Sequence, residues 1–118
     1  MSQSPIVSTK IEQKIVINKK GDIIYYDDKG KIHRDGGPAG IFANGNKLWS
    51  KHGKAHRLHK PALEWADGTL EWFVEGKRHC EEGPAFKYPD GREKWYIEGI
   101  EYSREKYQKA IFDYKNRM

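Results

Sequence analysis

Cys80 is the only cysteine among 118 residues, so no disulfide forms within the chain and a reducing compartment is its natural setting. Apolar material is also scarce. Hydrophobic residues make up 36% and mean hydropathy is −0.96, which leaves room for one domain with a modest core. No apolar run approaches the ~20 residues of a spanning helix. The first ten residues, MSQSPIVSTK, lack the basic start and apolar stretch of a secretory signal. A cytoplasmic protein without a transmembrane segment is therefore expected. Neither sign of charge dominates: 22 basic and 17 acidic side chains, interleaved, leave +5, which permits contact with nucleic acid without demanding it. What the chain does have is aromatic, with four Trp, seven Tyr and four Phe. Such residues favour strands, where flat rings pack across a pleated surface.

The second abundance is periodicity. Gly30, Gly53, Gly76 and Gly99 are 23 residues apart, and Tyr26, Trp49, Trp72 and Trp95 form an aromatic column at the same step. His33, His56 and His79 keep that interval, as do Pro38, Pro61 and Pro84, and Ala39, Ala62 and Ala85. A fixed period of this size marks a repeat architecture, whose usual product is an extended binding surface rather than a catalytic pocket.

Each unit contains an Asn-Gly or Asp-Gly pair, at Asn44-Gly45, Asp67-Gly68 and Asp90-Gly91. These dipeptides are strong signals for a two-residue type I′ hairpin turn. Such a turn at Asp67-Gly68 predicts Trp65 opposite Leu70 and Leu63 opposite Trp72; around Asp90-Gly91 it sets Phe86 opposite Trp95, and around Asn44-Gly45 it sets Gly40 opposite Trp49. Leu63, Trp65, Leu70 and Trp72 then share a core face, with Trp72 buried near the middle of the array, while Phe73 and Tyr96 fall on a wetter face. A longer turn runs from each phased glycine through the histidine to the proline. Hairpins laid side by side give a mainly β fold, an elongated single-layer antiparallel sheet over residues 11–102. Residues 1–10 are expected to be disordered. Residues 14–26 read as a starting hairpin, with Gly21 one residue out of phase.

Residues 103–118 read as a C-terminal capping α-helix, with Ser103 as N-cap and an apolar stripe at Tyr107, Ala110, Ile111, Tyr114 and Met118. It is expected to cover the aromatic face of the sheet.

The unit Trp-x-x-x-Gly-Lys-x-His-Arg-x-x-Gly-Pro-Ala, followed by a short strand and Asp-Gly, resembles the variant MORN-like repeats of tailed-phage, large-virus and bacterial proteins. The resemblance covers residues 22–102 and is carried by Tyr26 through Ala39 and by Trp72 through His79. The segment from Trp95 to Tyr107 is similar to the usual ending of such proteins, a truncated repeat running into a helix. The middle unit departs from the pattern, with His59-Lys60 before Pro61. The resemblance implies stacked β-hairpins and a generic binding scaffold. For a small stand-alone copy it implies a phage-encoded accessory protein that binds and modulates or inhibits a host factor, including a defence factor.

Chemistry finds little footing. Equivalent histidines lie ~10 Å apart if units repeat every two strand spacings, too far to share one tetrahedral zinc. Each is expected instead to donate a hydrogen bond to its own loop. Cys80 follows His79, but neighbouring strand residues point to opposite sides and no third group is evident. Asp35-Gly36-Gly37-Pro38 is a turn, not a phosphate loop. No cofactor, no metal and no enzymatic activity are expected. The expected partner is another protein, a host protein, met by Phe73, Tyr96, His33, Arg34, His56, Arg57 and His79. The alternative is a nucleic acid tracked by an edge carrying Lys31, Lys54, Lys77, Arg34 and Arg57. Sheet edges leave oligomerisation open.

Overall fold

The computed structural model describes residues 13–117 and is mainly β with one C-terminal helix. The expected disorder of residues 1–10, the first two residues of the array and the place of Met118 in the helical stripe lie outside the described residues. In chain order the strands are β1 (Lys14–Ile17), β2 (Ile23–Tyr26), β3 (Gly40–Ile41), β4 (Lys47–Leu48), β5 (Ser50–Lys51), β6 (Lys54–Ala55), β7 (Leu63–Glu64), β8 (Leu70–Glu71), β9 (Phe73–Val74), β10 (Lys77–Arg78), β11 (Phe86–Lys87), β12 (Glu93–Ile97) and β13 (Ile100–Tyr102), followed by α1 (Arg104–Asn116). Nine of them form one antiparallel sheet in the order β1-β2-β3-β4-β7-β8-β11-β12-β13. Beside it the hairpins β5-β6 and β9-β10 form a second row. That row is joined from unit to unit by Gly53 N–H to Ile32 O (2.8 Å), Gly76 N–H to Ala55 O (2.9 Å) and Gly99 N–H to Arg78 O (2.8 Å). The result is a slab of 66 × 40 × 17 Å.

The two turn types are exchanged relative to expectation. The Asp-Gly turn is a three-residue loop: Trp65 N–H bonds Thr69 O and Gly68 N–H bonds Trp65 O, both at 2.9 Å, and Asn44-Gly45 and Asp90-Gly91 repeat the pattern. Only the glycines have positive φ there, 102°, 99° and 96° at Gly45, Gly68 and Gly91. The Asp67 carboxylate accepts the Thr69 N–H at 2.8 Å, which holds the aspartate in an ordinary conformation and leaves the left-handed one to glycine. The type I′ turns lie instead at the phased glycines, where both residues are left-handed: His52 and Gly53 at 47° and 87°, Glu75 and Gly76 at 52° and 82°, Glu98 and Gly99 at 47° and 85°.

The extra loop residue shifts the register by one. Leu63 pairs with Glu71 rather than Trp72, Gly40 with Leu48 rather than Trp49, and Phe86 with Lys94 rather than Trp95. Leu70 pairs with Glu64 instead of Trp65. Since side chains alternate with period two, the slip regroups both faces. Leu48, Leu63, Glu71 and Phe86 share one, and Ile41, Glu64, Leu70 and Lys87 the other.

The aromatic column also needs correction. In the first unit the glycine turn is itself a three-residue loop, closed by Asp27 N–H to Lys31 O at 2.8 Å. The added residue brings Tyr25, not Tyr26, into the column. Tyr25 N–H bonds Ala39 O as Trp49 N–H bonds Ala62 O and Trp72 N–H bonds Ala85 O, at 2.7–2.8 Å. These three alanines are fully buried, 0% exposed, so their columns sit in the closest part of the slab.

Helix α1 starts where expected, with Ser103 Oγ accepting the Lys106 N–H at 3.1 Å. It does not cover the aromatic face. A helix of 13 residues is about 20 Å long at ~1.5 Å per residue, while the slab spans 66 Å. It therefore buries only the last unit, where Tyr107 and Ile111 join Ile97, flanked by Trp95, Tyr102, Ala110 and Tyr114. Trp72 is consequently half-buried, not buried. Among the described residues no helix is long and apolar enough to cross a membrane.

Candidate binding surface

The histidine column ties one unit to the next. The Nδ1 atoms of His33, His56 and His79 accept the backbone N–H of His52, Glu75 and Glu98 at 3.0, 3.0 and 2.9 Å. Each donor is the first left-handed residue of the following type I′ turn. The sequence expectation of donation within the histidine's own loop is thus wrong in both direction and target. An acceptor Nδ1 puts the proton on Nε2. From there His79 donates to Glu81 at 3.1 Å and His33 faces Asp35 at 3.5 Å.

Arg34 and Arg57 are bracing groups. Their guanidinium carbons lie 3.9 Å over the Tyr25 ring and 3.8 Å over the Trp49 ring. Each donates from Nη1 to the carbonyl of its own unit's proline, Pro38 or Pro61, at 3.1 Å. Arg57 adds Glu64 at 3.3 Å. The guanidinium plane thus covers an aromatic face that would otherwise be open, combining cation–π attraction with a charge-assisted hydrogen bond.

Phe73 and Tyr96 are half-buried beneath the Arg78 guanidinium, 5.3 and 5.6 Å from their ring centres. Arg78 is held by the carboxylate of Glu71 at 3.0 Å, which also accepts the Trp65 indole N–H at 2.7 Å. Glu71 is only 5% exposed, an unusual burial for a carboxylate that these donors satisfy.

The expected basic edge divides. Lys31, Lys54 and Lys77 line one edge, each stem against the glycine of the next turn, with Lys31 and Lys54 atoms 3.6 Å from where a Cβ would stand on Gly53 and Gly76. Arg34 and Arg57 belong to the aromatic face instead. Lys77 faces Glu98 at 3.9 Å, whereas Lys31 and Lys54 have no carboxylate within ion-pair distance among the described residues.

Two features escaped sequence reasoning. Asp27, His33 and His52 offer ligand atoms within 4.8 Å of one another. They are joined by hydrogen bonds among themselves: His33 Nδ1 takes the His52 N–H, His52 Nδ1 meets Asp27 Oδ2 at 2.7 Å, and the two rings stack at 4.0 Å. The His52 hydrogen bond is the main reason the Asp27 carboxyl is lowered to about 2, assisted by the Lys31 N–H. Stacked rings cannot direct in-plane lone pairs to one ion, so the cluster is a hydrogen-bond network. Cys80 is buried, and burial pushes its thiol up, away from the thiolate that a nucleophile needs. Its carbonyl accepts the Tyr107 hydroxyl at 2.6 Å, and burial raises that hydroxyl to about 12.

The other missed feature is a groove of about 460 Å³ at the Asp-Gly turn edge, lined by Phe42, Leu48, Leu63 and Trp65, with Lys20 and Asp22 at its rim. Trp65 is 41% exposed there. Phe42, Trp65 and Tyr88 are themselves phased by 23 residues, which is the signal that marks this second aromatic column. Comparison with protein-family models, with curated proteins and with solved structures found no match.

Proposed function

We propose that this chain is a non-enzymatic protein-binding module of MORN-like repeats. The carrying observation is the Phe42–Leu48–Leu63–Trp65 groove, where a 41% exposed Trp stands among apolar side chains on a rigid sheet. Exposed Trp in a concave apolar setting is the usual material of interface hot spots. The histidines and arginines of the repeat make the slab stiff, so little ordering cost opposes association. By its resemblance, the partner is a host factor met by a phage-encoded accessory protein, in the cytoplasm. Binding is stoichiometric, with no turnover. The outer edge of β1, which has no strand beside it among the described residues and exposes Ile15 and Ile17, is the place for self-association.

The test is affinity capture from host lysate with and without nuclease, using wild type and Phe42→Ala. A partner retained after nuclease and lost in a normally melting Phe42→Ala protein supports the groove. Retention of the same partner by the variant refutes it. A nucleic-acid reading draws support from Lys31 and Lys54, which have no ion-pair partner among the described residues. Three phosphate contacts at Lys31, Lys54 and Lys77 would weaken binding roughly 20- to 40-fold between about 50 and 200 mM salt. Charge reversal of all three would abolish it.

A further inference from the structure

Four aromatic residues occupy the column, and three carry a guanidinium. Arg34 lies over Tyr25 and Arg57 over Trp49, while Arg104 of α1 reaches within 5.8 Å of the Trp95 ring centre. Trp72 has none. Its unit places Cys80 where the first two place Arg34 and Arg57, and among the described residues the cation over its ring is Lys87, with Nζ 5.9 Å from the ring centre, at the limit of the interaction. A cleft of about 80 Å³ lies here between the loops of two units, lined by Trp72, Leu58, Val74 and Cys80. That is room for several waters, and so for the four heavy atoms of a guanidinium.

The charge of this loop has changed along with its shape. The first unit follows Arg34 with Asp35 and the second follows Arg57 with Leu58, but the third follows Cys80 with Glu81 and Glu82, both lining the cleft. Their partners are the imidazoles of His79 at 3.1 Å and His59 at 3.4 Å. Arg57 also lines the cleft, but its guanidinium is committed to Trp49, Pro61 O and Glu64. The third loop therefore combines an aromatic face and two carboxylates, and Pro84 holds the repeat position of Pro38 and Pro61, whose carbonyls Arg34 and Arg57 bond.

We propose that the Trp72 cleft binds an arginine side chain of the partner protein, which completes the repeat in trans. The incoming guanidinium stacks on Trp72, as Arg57 does on Trp49, and donates to Pro84 O and to Glu81 or Glu82. Planar stacking with directed donation favours arginine over lysine. This rests on the protein-binding reading and adds a second anchor, separate from the Trp65 groove.

The test uses the full chain labelled with ¹⁵N and three capped tripeptides, Gly-X-Gly, with X arginine, lysine or citrulline. The arginine peptide should shift the Trp72 indole N–H saturably. It should do so at roughly tenfold lower concentration than the lysine peptide, about the worth of one charge-assisted hydrogen bond. Citrulline, neutral but of the same shape, should give no saturable shift. The double variant Glu81→Gln, Glu82→Gln, which keeps acceptors for His79 and His59, should lose the arginine response; Cys80→Arg should also lose it by filling the cleft in cis. Equal responses to arginine and citrulline, shifts centred on the Trp49 indole, or no saturable response would each overturn the proposal. A captured partner that binds the double variant at full strength refutes the cleft while leaving the protein-binding module intact. Loss of all capture in wild type removes the module itself.

Discussion

Replacing His79 by alanine tests the central structural device of this slab. The imidazole Nδ1 is the acceptor for Glu98 N–H at 2.9 Å, and His79 is 6% exposed, so water cannot readily replace it. An unsatisfied buried donor costs about 1–3 kcal/mol. Loss of the imidazole packed 5.3 Å from Tyr114 and of the Nε2 bond to Glu81 brings the total to about 2–4 kcal/mol. For a domain of this size ~2 kcal/mol lowers the melting temperature by roughly 10 °C. His56→Ala should cost less, about 0.5–1.5 kcal/mol, because its bond to Glu75 N–H is solvent-exposed. Denaturant unfolding gives the energies, and native-state hydrogen exchange at Glu98 locates the effect. The Glu98 amide should lose protection in His79→Ala and keep it in His56→Ala. Equal losses for both variants, or an unchanged Glu98 amide in His79→Ala, would falsify the inter-unit staple.

Trp72→Ala should cost about 1–3 kcal/mol, below the ~3–5 kcal/mol of a fully buried tryptophan, since Trp72 is half-buried; a loss in the larger range by urea unfolding would place it in a core. Arg57→Lys should destabilise by about 1–2 kcal/mol through loss of the stack on Trp49 and the Pro61 bond, with Arg57→Ala only slightly worse, and equal stability of wild type and Arg57→Lys refutes a role for the planar fork. Asp27 has a folded pKa of about 2, held below its unfolded value of about 3.9 by His52 and the Lys31 N–H, so its stabilisation is full above pH ~4 and is lost as pH falls towards ~2. Asp27→Asn should flatten that part of the stability–pH curve, and an unchanged curve removes the His52 contact from the account. Gly53→Ala, at φ 87° but with only ordinary contacts to Lys31, should cost about 1–2 kcal/mol from backbone strain alone, measured by thermal unfolding.

The repeat, its hairpins and the terminal helix were legible in the sequence because they depend on local chemistry: phased glycines where φ is positive, Asp-Gly and Asn-Gly where the chain reverses, and Ser103 ahead of a periodic apolar stripe. Which glycine closes which kind of turn was not. Asp67-Gly68 suits either a two- or a three-residue loop, and one residue of difference moves Leu63 from Trp72 to Glu71. In the structure the Asp67 carboxylate takes the Thr69 N–H and closes the longer loop, Leu63 pairs with Glu71, and the Trp72 N–H is left to bond Ala85 O of the next hairpin. The Tyr25-for-Tyr26 exchange has the same origin, an added loop residue that no local propensity reveals. Sequence alone established the 23-residue unit and its glycine, histidine, proline and alanine columns, because periodicity survives a change of register. Only the tertiary structure decided the roles of His79, Arg57 and Trp72, because the His79–Glu98 hydrogen bond across 19 residues exists only once adjacent units have docked, and the Arg57–Trp49 stack only once the hairpin between them has closed.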